Sequence, residues 1–199
     1  MIGLGVPKSA MPAVTSFDPR WIRRFARSER GATAVEFALV SVPLIALVLG
    51  TLELAMVILV VTSLEGATES AARMIRTGEF QTSNANTRAD FRTLVCSRMG
   101  WLSSQCDEHL TVDVRVFNDF QTLAANQPMS GQTFNPAAAC FAAGQPGDIV
   151  LVRSYFTWPL FAPLITLMDN TGGGNRLVTS ATAFRNEPYN ANPPGGAAC

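Results

Sequence analysis

The chain has 199 residues, with 15 Lys and Arg balanced by 15 Asp and Glu and a single histidine. That length suits one small domain beside a long apolar helix. A neutral total with one histidine excludes a polybasic nucleic-acid binder and leaves little material for histidine-based catalysis.

The balance is uneven along the chain. Residues 1–31 hold Lys8, Arg20, Arg23, Arg24, Arg27 and Arg30 against Asp18 and Glu29, a net +4, so the remainder is −4. Residues 1–19, with Pro7, Pro12 and Pro19 among small polar residues, are expected to be disordered. Across residues 21–30, Trp21, Ile22 and Phe25 alternate with arginines. That pattern predicts either a short amphipathic helix on the cytoplasmic leaflet or cations that only fix topology.

Residues 37–64 are 28 in number and carry one formal charge, Glu53. A helix of that length rises ~42 Å at ~1.5 Å per residue, against a hydrocarbon core of ~30 Å. It is long enough to span, with Pro43 expected to kink it near its start. Five arginines precede the run, whereas Glu65, Glu69 and Glu79 follow it with Arg73 and Arg76. The positive-inside rule then puts the N-terminus in the cytoplasm and the chain beyond about residue 65 outside. A secretory signal is excluded, because its apolar region is only ~7 to 15 residues long. A plain anchor remains open, in which Glu36 only closes a capping box with Thr33.

The junction at the head of this run carries a resemblance. Gly31 is followed by Ala32, Thr33, Ala34 and Val35, then Glu36 and Phe37, which resembles the processing site of Flp-type prepilins. With Pro43, then Gly50, Thr51, Leu52 and Glu53, then Ala71, Ala72, Arg73, Thr77 and Gly78, the stretch over residues 27–80 resembles the TadE family of pseudopilins from the tight-adherence (Flp/Tad) pilus system. A second, shorter likeness falls at residues 184–188. The resemblance implies a minor pilin, cut between Gly31 and Ala32 by a prepilin peptidase that recognises Glu36 and Phe37. It also implies assembly with other pilins and the Tad inner-membrane platform, and Glu36 as counter-ion to the new Ala32 amine. The leader is long for such a protein; a start at Met11 instead of Met1 would leave 21 residues of it. The rival is an uncleaved single-span membrane protein that acts as an interaction subunit of the secretion apparatus.

Past the span the helix is expected to reach Arg76 and stop at Gly78. Val57, Val61, Leu64, Thr68, Ala71 and Ile75 would form its docking stripe, with Glu69 and Arg73 as an i,i+4 pair. Residues 79–86 read as polar linker and residues 87–101 as a second helix, with Phe91, Leu94, Val95 and Met99 on one side. Leu110, Val112, Val114 and Val116 alternate with Thr111, Asp113 and Arg115 as a half-buried strand. Residues 119–147 read as a long loop. Residues 148–158 form the strongest strand, residues 160–168 a short apolar helix or loop, residues 169–175 a turn and residues 176–185 a closing strand. The fold class is therefore α+β and pilin-like: a long N-terminal transmembrane helix running into a small outer domain with a short antiparallel sheet. The domains are a basic leader (1–31), the helix (32–78) and a periplasmic domain (79–199).

Cys96, Cys106, Cys140 and Cys199 all lie beyond the span, and an even count in an exported segment reads as two disulfides. Of three pairings, Cys96 with Cys106 and Cys140 with Cys199 is favoured: the first closes a local loop and the second pins the Pro/Gly/Ala tail. A zinc set of Cys96, Cys106 and His109 fits no usual spacing. The glycines at 172–174 lack the Lys-Ser/Thr of a phosphate loop, and Asp169 and Asn175 fall short of a calcium loop. No catalytic, metal or cofactor site is predicted, and no nucleic-acid partner. Glu53, a costly acid in an apolar helix, is expected to make an intramembrane contact or to reach the outer interface, and membrane lipid is an expected partner. The expected location is the inner membrane, single-pass, with association to the pilus.

Overall fold

The computed structural model describes residues 29–83, 87–123, 128–131, 133–161, 168–171 and 173–189. Residues 1–19 and nearly all of the basic segment after them lie outside that set, as do residues 162–167. The described residues form two units, divided between Ala46 and Leu47.

The apolar run forms one helix, α1 (Glu29–Arg76), continuous through Pro43. Among the described residues of the first unit α1 is the only element; Gly31 is buried, and Val35, Phe37, Leu39, Val40, Val42, Leu44 and Ile45 are all exposed. Its start differs from the capping-box expectation. Residues 29–32 are already helical, so Thr33 sits inside the helix and is not its N-cap.

In the second unit α1 becomes one wall of a core. Val57, Leu64, Thr68, Ala71 and Ile75 of the expected stripe are buried, with Val60 and Ala67 beside them, while Val61 is only partly buried. Glu69 and Arg73, expected to pair, form no ion pair with each other. Arg76 instead pairs with Glu187 at 3.1 Å. The helix ends where Gly78 adopts φ +78, and a Cβ there would lie 2.2 Å from the Tyr189 ring. Only glycine accommodates both the left-handed turn and that ring.

The segment after it is not a plain polar linker. Residues Glu79–Thr82 form a single turn, α2, that buries Phe80 edge-on to Phe91 (5.4 Å) and Phe141 (5.8 Å). Gln81 donates to the carbonyls of Ile75 and Ala143. The next helix, α3 (Arg88–Arg98), opens with a capping box between Thr87 and Asp90. It stops three residues short of the expected end, because Gly100 turns left-handed at φ +61 and residues Gly100–Gln105 continue as a 3-10 helix. A turn, α4 (Cys106–His109), leads into the sheet.

The main sheet is antiparallel with order β1 (Leu110–Phe117), β4 (Ile149–Pro159), β5 (Asn175–Arg185), so the most β-branched strand is central. Val112, Val114, Val150, Val152, Phe156 and Val178 face α1 and α3 in one core. Residues 119–147, expected as a loop, contain a two-residue hairpin of β2 (Met129–Ser130) and β3 (Thr133–Phe134). They also contain a parallel bridge from Phe141 to Val114 that covers the outer edge of β1. The architecture is α+β, a long apolar helix followed by a small three-stranded antiparallel domain.

Candidate functional site

The predicted processing residues sit together at the head of α1. Gly31 and Ala32 are both helical, so the bond between them lies within a helix. Ala32 and Glu36 are four residues apart and share a helix face, where Cβ atoms are ~5–6 Å apart. Both are exposed, and Phe37 is 73% exposed. Nothing in the first unit's described residues covers this apolar surface.

Glu53 belongs to the second unit and is only 3% exposed. Its Oε1 accepts the backbone N–H of Phe161 at 2.6 Å. A carboxylate that satisfies a main-chain donor escapes much of the cost of leaving water. Its contact therefore lies within the same chain, on a residue just past the end of β4.

Cys96 and Cys106 form a disulfide, with Cα atoms 5.5 Å apart, joining the end of α3 to α4. That bond removes both thiolates from the zinc alternative, and His109 stacks against Phe156. Cys140 is not free; Cys199 lies outside the described residues. In the β4 to β5 turn, the Asp169 carboxylate accepts the N–H groups of Thr171 (2.9 Å) and Gly174 (2.8 Å), while Asn175 donates to the Gly173 carbonyl. Those bonds shape a turn and leave the two side chains facing separate tasks. Among the described residues no three His, Cys, Asp or Glu side chains converge.

One charged cluster has no counterpart among the predicted sites. Asp113, fully buried on β1, lies opposite Arg153 of β4. It accepts from Arg153 Nη1 at 3.3 Å, from Arg115 Nε at 2.9 and 3.1 Å, and from the Cys140 N–H at 2.8 Å. Arg115 reaches on to the Ala138 carbonyl and Arg153 to that of Leu123. This one acid thus ties the long β1 to β4 connection to the sheet. Beside it, burial raises the Tyr155 phenol above its ordinary value. The sequence signal was available: opposite charges on the polar side of two strands that pair antiparallel.

Residues 31–73 match the family model for TadE-like protein. That segment is TadE-like. The matched segment begins at Gly31 itself and contains Ala32, Glu36, Phe37 and Glu53, and it ends three residues before the end of α1. The TadE-like segment is therefore the helix, which is long and apolar enough to cross a membrane. The disulfide, the Asp113 cluster and the sheet all lie outside it. No curated protein and no solved structure matches the chain.

Proposed function

We propose that this chain is a minor pilin or pseudopilin of the tight-adherence pilus system, structural and not catalytic. In this reading a prepilin peptidase cuts between Gly31 and Ala32, and the mature chain works with other pilins and the inner-membrane assembly platform. The observation that carries it is the family match, which starts at the residue where the basic arm gives way to the apolar helix. The exposed apolar surface of α1 from Val35 onward supports it, since a surface of that kind needs lipid or neighbouring helices around it. The five arginines before the span favour a cytoplasmic N-terminus and a periplasmic domain in the inner membrane.

Cleavage calls for local unwinding, because Gly31 and Ala32 are helical. Glycine lowers that cost by ~1 kcal/mol relative to alanine and lets the peptidase approach the backbone. After cutting, Glu36 offers a counter-ion to the Ala32 amine of its own or a neighbouring chain. Gly31→Val is expected to leave full-length precursor in the membrane, and Glu36→Gln to hamper assembly. N-terminal sequencing that finds Ala32 first in Gly31→Val would overturn the reading.

The helical state of that bond also supports a second reading, an uncleaved single-span subunit of the apparatus. Intact mass of the membrane-extracted protein separates the two, since cleavage removes the leader.

A further inference from the structure

We propose that Trp101 and Phe161, backed by the buried Trp158, form a membrane-seating rim on the outer domain, with the two exposed rings in the headgroup layer of the outer leaflet. The inference rests on α1 being a membrane span and is independent of cleavage at Gly31.

The rim lies at one end of the second unit. Ser63 donates to the Met99 carbonyl at 2.9 Å, and Glu53 holds Phe161, ten residues and ~15 Å earlier on α1. Between these points the rings form a row: Trp101 edge-on to Trp158 at 6.1 Å, and Trp158 edge-on to Phe161 at 5.8 Å. Within the second unit, Leu47, Leu49 and Leu52, just before Glu53, are exposed on a bare helix. The aromatic row therefore sits where the domain stops and the apolar helix emerges.

Two further observations place lipid there. Trp101 is 53% exposed and Phe161 65% exposed, and the stretches that hold the rim, residues 99–105 and 157–161, contain no charged residue. Large aromatic rings in uncharged stretches are what a bilayer interface selects, and Arg176, opposite Trp158 on β5, is a cation that the headgroup layer accommodates. Secondly, the face of α1 turned away from the domain stays apolar past Glu53. Leu54, Ile58 and Leu59 are all about half exposed, and the first exposed charge above them is Glu65. The apolar layer on the open face thus reaches about a turn and a half above the level at which the domain begins on the other face. If lipid covers Leu59, the same depth on the domain side is occupied by the aromatic rim.

The seat also accounts for Glu53. An acid at this depth needs a partner, and the Phe161 N–H supplies one only while the rim is docked on the helix.

The test uses the full chain carrying Trp21→Phe, which leaves Trp101 and Trp158 as its tryptophans, reconstituted at low protein density in phosphatidylcholine vesicles with a minor fraction of phosphatidylglycerol. Lipids brominated near the headgroup end of the acyl chain are expected to remove most of the fluorescence. Bromine near the chain methyl should quench less, and aqueous iodide outside the vesicles least. Adding Trp101→Phe keeps the core tryptophan and should preserve the order of quenching. Strong iodide quenching with none from lipid would overturn the proposal, as would shielding from both, which would mean that protein covers the rim. A chain with Leu47→Trp and all three native tryptophans changed to Phe reports insertion of α1 separately. Deep quenching there with no lipid quenching at the rim would refute the seat alone; no quenching at either would refute the span with it.

Discussion

Asp113 shows what one residue contributes when its surroundings are closed. It is fully buried, and two arginines and a main-chain N–H converge on it. Removing one member of such a set strands the others: Asp113→Ala leaves Arg153, itself 6% exposed, without its anion. The expected loss is ~3–5 kcal/mol, read as a lower denaturation midpoint of the chain in detergent. A paired change, Asp113→Val with Arg153→Leu, should recover much of it, because apolar replacement of a whole buried pair is often neutral. If the double variant is as unstable as the single one, the cluster is doing more than neutralising itself.

Among the elements, α3 offers a pH test. Asp90 closes the capping box on Thr87, whose side chain and backbone both donate to it, and these bonds hold its carboxyl below the ordinary value of 3.8. A carboxyl lowered by folding stabilises the fold above the unfolded value and loses that contribution as pH falls through the folded one. The stability gap between the native chain and Asp90→Asn should therefore be constant near neutrality and close as pH drops below 3.8. A gap that persists in acid would show that the cap acts through shape alone.

Elements of this kind were legible to different degrees, for physical reasons. The apolar run over residues 37–64 and the β-branched run in β4 declare themselves by composition, and the family likeness lay in the same helix. The alternation in β1 was also plain, but alternation does not say what covers the polar face. Asp113 is buried because segments near Leu123, Ala138 and Cys140 fold across it, and no local pattern encodes that. Phe80 and Gln81 looked like linker because a four-residue turn is too short for periodicity. Glu53 stood out as an anomaly, yet its donor lies 108 residues away. The helical state of the Gly31 to Ala32 bond was not readable either, since glycine costs ~1 kcal/mol inside a helix and at the head of an apolar run reads as a boundary.

For the whole molecule, the sheet has no second layer of its own on the inner side. α1 supplies Val57, Val60, Leu64, Ala71 and Ile75, and α3 supplies Phe91 and Val95. A chain cut to residues 79–199 loses the largest part of that wall, and burial of such side chains is worth ~1.5–3 kcal/mol each. It should give collapsed amide dispersion by NMR, whereas residues 54–199 should give the spread of a folded domain. A folded spectrum from the shorter piece would mean that the sheet and α3 suffice.

The far end of α1 is fastened as well as packed. Arg76 receives the N–H of Glu187 at 2.9 Å and pairs with its side chain, and Gly78 lies under Tyr189, just beyond the end of β5. Under tension this has a mechanical meaning. A pull transmitted along the helix meets the sheet along its whole buried stripe and at a fastened far end, so the contacts must slide together and cannot be peeled one after another. A pulling force between the helix and β5 should accordingly produce a single high rupture, and the chain should hold its shape as a load-bearing link until that point.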